Sequence, residues 1–541
     1  MLKKLTLLIS LAAGSIANAQ SWQDTVALID KIFSRYADAN PGAQLAVSRN
    51  GEIIYLSARG MADLEHNVSL TKQSKIEAGS VSKQFTAAVI LLLEQQGKLS
   101  LNDDVRKYVP EVPDYGNTIT IRHLLNHTSG LKDWGSIGDL AGWPRGTKAY
   151  TNEDALYIIS LQKTLNNKPG DEYIYSNSNY NLQAIIVQRV SGISLADFSK
   201  KYIFEPAGMK NTEWRDNYRK VVPNRAIAYS RSGSTYLTNM PNEYVYGNGG
   251  LLTTAEDLLI WNNYYLTGKL GTPSLLPKQL ATSPLNNGKR NSYASGLFVD
   301  SVNGWAAIRH DGATAGYRSN LEYFPQLGLS IAWLSNTSQP DLGNVPSEVR
   351  NLLVKNLNPA TPNSPTSSMV DPKSFLPYLG AYRYAKTGAG WKIYIRDTLL
   401  YSTPNGKLIP LTANVAALGR GRIIFSDKPR GFQLISASDT FNFVGVDSAQ
   451  ITDKNINDYA GIYYSEETES KTKLLVKDGK VMVEQRGNQV ALTPVYKDGF
   501  SFPGGDIYFM RDKKGYVNNF FITISRARHV EFKKQPGYNA K

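Results

Sequence analysis

The pattern of apolar and polar positions divides the chain into two parts with different periodicity. In the first part, helix-like stretches such as the apolar run over 84–97 and the amphipathic segment over 180–192 alternate with strand-like runs. The strand-like runs lie at both ends of this part, over 43–60 and near 305–336. We therefore predict an α+β domain in which both ends contribute strands to one antiparallel sheet flanked by helices, beside a helical insert.

The second part, after residue 372, consists of short alternating segments with turn signals about every ten residues, which is typical of antiparallel barrels or sandwiches. The sequence YLGAY at 378–382 recurs as YAGIY at 459–463, and IRD at 395–397 recurs as VKD at 476–478 with the same offset. We therefore predict two copies of one β unit. The sequence leaves open whether the copies form two small barrels or two halves of one.

Composition marks the boundaries between these units. Residues 1–19 contain two lysines, an apolar run and an Ala-Asn-Ala ending, which is typical of a secretory signal peptide and predicts a periplasmic or secreted protein. Residues 358–372 contain four prolines among Ser, Thr and Asn, which predicts a linker. The predicted units are thus a first domain over 20–357 and two β units over 373–452 and 453–541.

Charge and cysteine content narrow the classes of partner. The 541 residues contain no cysteine, so no disulfide framework is expected, and no later apolar run has the length of a membrane span.

The formal charge is +14, and residues 371–541 hold 25 basic against 16 acidic residues. A basic second part can bind an anionic cell-envelope polymer or simply keep the surface soluble, and both interpretations stay open. Without a recognisable binding motif, nucleic acid is not an expected partner.

A Ser-x-x-Lys pattern with catalytic potential occurs once in an apolar setting. Four occurrences of the pattern are Ser69/Lys72, Ser80/Lys83, Ser160/Lys163 and Ser470/Lys473. Only Ser80 follows a glycine and opens a long apolar helix, which places its hydroxyl at the positive end of the helix dipole and the Lys83 ammonium one turn later. A lysine with a lowered pKa can help to activate a serine nucleophile, whereas the structural alternative is a lysine that extends from the helix start to solvent. The other three patterns are predicted to be surface pairs.

A Tyr-x-Asn motif at Tyr175 and Asn177 follows the turn signal Pro169-Gly170 and precedes the helix from Tyr180. Both side chains can therefore project from a loop into a cleft. The same spacing recurs at Tyr246/Asn248 and Tyr516/Asn518.

A His-x-Gly motif, His310-Asp311-Gly312, ends one strand-like run and offers a glycine-bearing edge where a substrate backbone can approach. It is the only His-x-Gly in the chain. Lys386-Thr387-Gly388 and Arg231-Ser232-Gly233 are the rival third elements.

Taken in chain order, Ser80-x-x-Lys83, Tyr175-x-Asn177 and His310-x-Gly312 resemble the motifs of the serine β-lactamase and penicillin-binding-protein superfamily, in its class C-like branch with D-aminopeptidases, DD-peptidases and esterases. The resemblance covers about residues 25–355. It implies a β-lactamase-like fold for the first domain, and the β units are similar to the lipocalin-like barrels of D-aminopeptidases.

The resemblance also implies the chemistry of three residues. Ser80 would be the acylated nucleophile, and Lys83 would exchange its proton. Tyr175 would act as base toward Ser80 and the deacylating water, and as acid toward the leaving group.

Substrate binding would fall to the second and third motifs. Asn177 would hold a substrate amide beside the edge formed by His310 and Gly312, and the backbone N–H groups of Ser80 and Ala313 would form the oxyanion hole. Many members carry lysine where this chain has His310, so we expect a group that titrates near neutrality there. This departure favours peptidase and esterase chemistry over efficient β-lactam hydrolysis.

The expected function is therefore that of an exported serine hydrolase that cleaves amide bonds in small peptides, including peptides with a D-residue. Ester or β-lactam hydrolysis at the same site is the alternative, and a non-catalytic cell-envelope binding protein is an alternative of another class.

We expect no cofactor and no metal. The pair His123/His127 has helical zinc-binding spacing but lacks the glutamate of a zinc protease, and it is predicted to be a pair of hydrogen-bonded histidines.

Overall fold

The described part of the chain comprises residues 21–143, 148–355, 357, 370–403, 406–419, 421–436, 440–449, 456–485 and 488–536 of a computed structural model. The predicted signal peptide and most of the predicted linker lie outside the described residues. Both stay predictions, as do the boundaries of the three units.

The two stretches predicted as helices, over 84–97 and 180–192, are helical, and the described residues of the first part form eleven α-helices. They are α1 (Trp22–Phe33), α2 (Lys83–Gln95), α3 (Ile121–Leu125), α4 (Trp134–Leu140), α5 (Asn152–Ser160), α6 (Asn177–Ser191), α7 (Leu195–Ser199), α8 (Glu205–Ala207), α9 (Ala255–Leu266), α10 (Leu275–Leu280) and α11 (Val345–Leu353). Thr254 caps α9 by accepting a hydrogen bond from the N–H of Asp257, and Gly192 ends α6 in the left-handed conformation.

The strands of the first part come mainly from its two ends. They are β1 (Ala43–Arg49), β2 (Glu52–Arg59), β3 (Met61–Asp63), β4 (Val68–Ser69), β5 (Ile76–Glu77), β6 (Glu213–Trp214), β7 (Tyr229–Ser232), β8 (Thr235–Thr238), β9 (Leu251–Thr253), β10 (Phe298–Val302), β11 (Trp305–Thr314), β12 (Tyr317–Phe324) and β13 (Leu329–Ser335).

One six-stranded antiparallel sheet joins the two ends, in the order β10-β11-β12-β13-β1-β2. Strand β1 pairs with β13 in a register that places Ala43 opposite Ser335. Leu45 and Val47 pack against α1 and α11 on one face, whereas Ala46 belongs to the larger core on the other face. Because both faces of β1 are covered, its first six residues are all buried, including the polar Gln44 and Ser48. The predicted sheet built from both ends of the domain is confirmed.

The second part contains two nine-stranded antiparallel sheets, each a nearly closed barrel. The first barrel contains β14 (Gly380–Tyr384), β15 (Gly390–Arg396), β16 (Leu399–Thr403), β17 (Gly406–Lys407), β18 (Ile409–Thr412), β19 (Val415–Leu418), β20 (Gly421–Asp427), β21 (Arg430–Ile435) and β22 (Thr440–Val446). The second contains β23 (Gly461–Ser465), β24 (Ser470–Lys477), β25 (Lys480–Gln485), β26 (Asn488–Ala491), β27 (Thr493–Tyr496), β28 (Gly499–Phe502), β29 (Gly505–Arg511), β30 (Val517–Ile524) and β31 (Ala527–Lys534).

The internal repeat corresponds to these two barrels, whose strands follow the same spatial order. In the first copy the hydroxyl of Tyr382 donates to the backbone carbonyl of Tyr378 at 2.5 Å. In the second copy Tyr463 donates to the carbonyl of Tyr459 at 2.9 Å. The repeated tyrosines therefore make the same contact at the start of each barrel, and the open question is resolved in favour of two separate sheets.

The second barrel packs directly on the first part of the chain. Apolar residues of both belong to one continuous core. The amine of Lys132 donates to a carboxylate oxygen of Glu467 at 2.5 Å, and both side chains are buried, 0% and 4% exposed. The same carboxylate accepts the backbone N–H of Lys163. A buried ion pair that is also hydrogen-bonded fixes the position of the barrel against the domain. Within the described ranges, no helix combines the length and apolar character needed to cross a membrane.

Candidate active site

Ser80 lies in a 3₁₀ turn over Gly79–Ser82 that leads directly into α2. Lys83 is the first residue of that helix, and its side chain is fully buried at 0% exposure. The predicted arrangement, with hydroxyl and amine one turn apart on the same face, is present, although the hydroxyl sits in the 3₁₀ turn before the helix. The alternative of a lysine that extends to solvent is wrong for Lys83.

The amine of Lys83 has three hydrogen-bond partners. It lies 3.1 Å from Oγ of Ser80, 3.0 Å from Oδ1 of Asn177 and 2.6 Å from the backbone carbonyl of Asn248. Burial holds the pKa of Lys83 well below its usual range, with Asp133 acting in the opposite direction and Arg526 acting with burial. A lysine in this setting can exist as a neutral amine whose lone pair is directed at a hydroxyl.

Asn248 is a further site residue, which the sequence marks only as part of a repeated Tyr-x-Asn spacing. Its side-chain oxygen accepts from Asn181 at 2.7 Å, and the preceding carbonyl, of Gly247, accepts from Thr86 at 2.8 Å. These two bonds hold the segment against α2 and α6, so that the Asn248 carbonyl meets the lysine amine. A backbone carbonyl carries no residue-type signal, so the sequence could not have pointed to it.

The ring of Tyr175 packs beside the amine of Lys83. Nζ of Lys83 lies 4.8 Å from the centre of this ring, and the His127 ring packs against it at 4.2 Å between centroids. Burial raises the pKa of Tyr175 above its usual value, and this effect outweighs the hydrogen bond with Ser80 and the charge of Arg526, which both lower it. The phenol is therefore neutral at physiological pH.

Asn177 is positioned by a neighbouring carboxylate. The structure begins α6 at Asn177, three residues before the predicted start, because Asp133 accepts the N–H of Asn177 at 2.6 Å and the ring of His127 accepts that of Ser176 at 3.2 Å. The Asn177 side chain thus projects from a helix start and not from the predicted loop. The start of a helix holds a side chain more rigidly than a loop does.

His310 lies on β11 and is buried, 4% exposed. Its Nδ1 is 2.6 Å from the carbonyl oxygen of Asp311, to which it donates, and its Nε2 accepts from the hydroxyl of Tyr293 at 3.0 Å. Burial and the charge of Lys83 lower the pKa of His310 to about 3. The expectation of a group that titrates near neutrality is therefore wrong, since this imidazole stays neutral. Tyr293 fixes its tautomer and gave no signal in the sequence.

The glycine of the third motif allows two backbones to touch. A Cβ on Gly312 would lie 2.1 Å from the carbonyl oxygen of Ala78, and the hydroxyl of Ser319 donates to that same carbonyl at 2.6 Å. A Cβ on Gly79, whose φ is +48°, would lie 2.8 Å from the amide nitrogen of Ala313. Glycines on both sides thus let β11 approach the turn of Ser80 until the two amides of the predicted oxyanion hole are neighbours.

The predicted site residues line one cleft of about 850 Å³. Its wall includes Ser80, Tyr175, Asn177, His310, Gly312 and Ala313, with Lys83 buried behind them. Arg526, from the turn between β30 and β31 of the second barrel, also lines this cleft. Three segments far apart in the chain and one from the barrel therefore meet at the cleft, and the barrel residue had no motif to reveal it.

The rival motifs lie outside this cleft. Lys386 pairs with Glu172 at 2.9 Å, and Arg231 pairs with Asp341 at 2.6 Å. The lysines of the three other patterns named above are exposed, as for Lys163 at 62% and Lys473 at 41%, whereas Lys132 of Ser129-x-x-Lys132 is buried in its ion pair with Glu467.

The two histidines of the zinc-like spacing do not share a helix face, because α3 ends at Leu125 and His127 has a φ of +55°. Nδ1 of His123 accepts the N–H of Thr120 at 3.2 Å. Nδ1 of His127 accepts hydrogen bonds from Ser176 and Asn179, whereas its buried Nε2 has no partner among the described residues. Both rings are therefore hydrogen-bonded, as predicted, but that of His127 only at Nδ1.

The first part of the chain, which contains all three motifs of the cleft, matches a known protein family. A family model described as Beta-lactamase matches residues 29–354. The chain belongs to the β-lactamase family. Within this family, protein Flp of Staphylococcus aureus is 30% identical over 304 residues, which cover 55% of this chain and 59% of Flp. A penicillin-binding protein of Bacillus subtilis is 32% identical over 316 residues, which cover 54% of this chain and 67% of that protein. This chain therefore spans less than two thirds of Flp.

Solved structures share the β-lactamase fold at low sequence identity. A penicillin-binding protein homologue from Pyrococcus abyssi, described as octameric, has a TM-score of 0.53 at 19% identity, covering 94% of this chain and 99% of that one. A D-amino acid amidase from Ochrobactrum anthropi has a TM-score of 0.52 at 23% identity, covering 61% of this chain and 97% of that one. The first match extends into the barrels, whereas the second is confined to a length close to that of the family domain.

Proposed function

We propose that this member of the β-lactamase family is an exported serine hydrolase that cleaves amide bonds in small peptides, including peptides with a D-residue, through an acyl-enzyme on Ser80. The observation that carries the proposal is the meeting of the Ser80 hydroxyl, the Lys83 amine and the Tyr175 phenol at one cleft. Family membership supports serine hydrolase chemistry, and the names of the amidase and penicillin-binding relatives support an amide substrate.

The first step uses the neutral amine. With its pKa lowered, Lys83 donates to Asn177 and Asn248 and accepts the proton of Ser80. As that proton moves to Nζ, Oγ bonds to the substrate carbonyl carbon and the carbonyl oxygen takes the negative charge. The sequence-based interpretation gave this step to Tyr175, but a phenol with a raised pKa is a poor resting base, so the pKa directions favour Lys83.

The second step uses the neutral phenol. The N–H groups of Ser80 and Ala313 hold the oxyanion, and each preorganised donor of this kind is worth about 3–4 kcal/mol. Tyr175 gives its proton to the leaving nitrogen as the C–N bond breaks, and the Lys83 ammonium returns a proton to the phenolate. The same pair then accepts a proton from the water that attacks the ester and returns it to Oγ as the C–O bond breaks, which frees Ser80 and the product acid.

The test compares initial rates of the full chain and Ser80→Ala on D-alanine p-nitroanilide, L-alanine p-nitroanilide, p-nitrophenyl acetate and a chromogenic cephalosporin. We expect Ser80-dependent anilide cleavage and slow cephalosporin turnover. Turnover of the ester or the cephalosporin alone would replace the proposal with the corresponding esterase or β-lactamase. Absence of any Ser80-dependent turnover or labelling, with binding of cell-wall polymer retained, would indicate the non-catalytic envelope protein.

A further inference from the structure

The turn between β30 and β31 of the second barrel is anchored at the cleft. The backbone carbonyl of Arg526 accepts the N–H of Asp133 and the side chain of Asn166, both at 3.1 Å. Two residues on, the N–H of Arg528 donates to Asn166 at 2.7 Å, and its guanidinium pairs with Glu172 at 3.0 Å. The turn is therefore held by the catalytic domain at its backbone, and the side chain of Arg526 is left to point into the cleft.

The guanidinium of Arg526 stacks over Tyr175, with its carbon 4.8 Å from the ring centre. Its side chain is exposed, and among the described residues it forms no hydrogen bond or ion pair. Stacking on a ring fixes the plane of a guanidinium while leaving its N–H groups free to bind an anion.

The other cations of the cleft are already engaged. Arg215 pairs with Glu77 at 2.7 Å, and Arg318 donates to the backbone carbonyls of Ala315 and Tyr317. The imidazole of His310 is neutral because both of its nitrogens are occupied in a buried setting. Among the described residues of the cleft wall, Arg526 is thus the cation whose guanidinium forms no hydrogen bond or ion pair with the protein, whereas Arg215 leaves only its buried Nη1 without a partner.

We propose that Arg526 binds a carboxylate on the leaving portion of the substrate, so that the second barrel supplies the anion site of the cleft. This inference rests on the proposed function, in which Tyr175 protonates the leaving nitrogen. Because Arg526 stacks on that same ring, it faces the leaving side of the scissile bond. A guanidinium matches a carboxylate with two parallel N–H···O bonds, which a neutral side chain cannot replace.

The experiment uses two esters of phenylacetylglycine with the full chain, one with 3-hydroxybenzoate and one with 3-hydroxybenzamide as leaving group. We expect kcat/KM to favour the benzoate ester by about 10- to 100-fold, the range of a charge-assisted pair. Arg526→Gln should bring this ratio to within about 3-fold of one, and Arg526→Lys should give an intermediate ratio because it keeps the charge but loses the fork. Ser525→Ala, in the same turn, should retain the wild-type ratio.

A binding measurement separates this inference from the proposed function. In Ser80→Ala, saturation-transfer NMR should detect 3-hydroxybenzoate in preference to 3-hydroxybenzamide, and Arg526→Gln should abolish the preference. If the chain shows no Ser80-dependent turnover but still prefers the acid in the binding measurement, the proposed function is refuted and the role of Arg526 as an anion site is not. A wild-type protein without preference for the acid, or an Arg526→Gln variant that keeps it, would overturn the role of Arg526.

Discussion

The side-chain nitrogen of Lys83 lies 3.1 Å from the hydroxyl oxygen of Ser80, in a position with no exposure to solvent. A buried ammonium costs several kcal/mol unless it is paired, and here its partners are a hydroxyl, an amide oxygen and a backbone carbonyl, none of which is charged. The fold therefore maintains an amine that readily loses its proton next to the serine it would activate.

Replacing Lys83 with methionine should abolish acylation while leaving the fold intact. The thioether fills the same volume without burying a charge, so we expect unchanged or higher thermal stability. The rate of acyl-enzyme formation, measured as the burst with p-nitrophenyl acetate, should fall by at least about 10³-fold. Lys473→Met, in the exposed Ser470-x-x-Lys473 pattern, is the matched control and should keep the wild-type burst. A normal burst in Lys83→Met would exclude the amine as proton acceptor.

Removing only the hydroxyl of Tyr175 separates its chemistry from its packing. Tyr175→Phe keeps the ring that contacts His127, so circular dichroism and melting should match wild type. Turnover should fall by about 10²–10⁴-fold, the usual contribution of a general acid or base. Tyr516→Phe changes the exposed tyrosine of another Tyr-x-Asn pattern and should be silent. Equal loss in both variants, or none in Tyr175→Phe, would contradict the assigned role.

The buried ion pair between Lys132 and Glu467 should matter far more than its exposed neighbour. Glu467→Gln leaves a buried ammonium without its counter-charge, which costs about 3–5 kcal/mol in similar cases. Glu466 pairs with Lys163 at 3.7 Å on the surface, and Glu466→Gln should cost less than about 1 kcal/mol. Urea denaturation of the two variants checks this difference. Similar losses for both would show that the barrel is not fixed by the buried pair.

Because His310 is neutral in the folded chain, it makes the free energy of unfolding depend on pH in a known direction. Its pKa is about 3 in the folded chain, whereas the unfolded chain has an ordinary value of about 6.5. The unfolded state therefore binds more protons between these values, and stability falls as the pH drops from about 7 to 4. His310→Gln removes this titration and also loses the bond from Tyr293.

The cost of His310→Gln should accordingly be largest near pH 7.5 and should shrink at about pH 4.5, as measured by urea unfolding at both pH values. The remaining histidines titrate in both proteins and cancel in the comparison. A cost that stays constant with pH would mean that His310 is already charged in the folded state.

The sequence predicted those parts of the fold and site that depend on residue type and spacing. The strand-like run that contains β1, the helix after Lys83 and the repeated tyrosines at 382 and 463 each had a periodic or repeated signal. Helix α6 starts three residues before the predicted position because Asp133, from a loop distant in sequence, accepts the N–H of Asn177. Such a contact has no local sequence signature.

Three features of the site depend on tertiary contacts alone. The carbonyl of Asn248 and the hydroxyl of Tyr293 act through positions that no pattern marks. Burial lowers the pKa of His310 far below the expected value near neutrality. The three residues of the motif do not show how deeply the fold buries them. Arg526 reaches the cleft only because the second barrel docks there through Glu467.

The role of Ser80 as nucleophile is tested by measuring the mass of the intact chain during reaction with the phenylacetylglycine esters, followed by peptide mapping of the adduct. We expect one phenylacetylglycyl group per chain, located on Ser80, absent in Ser80→Ala and formed far more slowly in Lys83→Met. An adduct on another residue, or one that forms equally in Ser80→Ala, would contradict the central claim that Ser80 is the nucleophile.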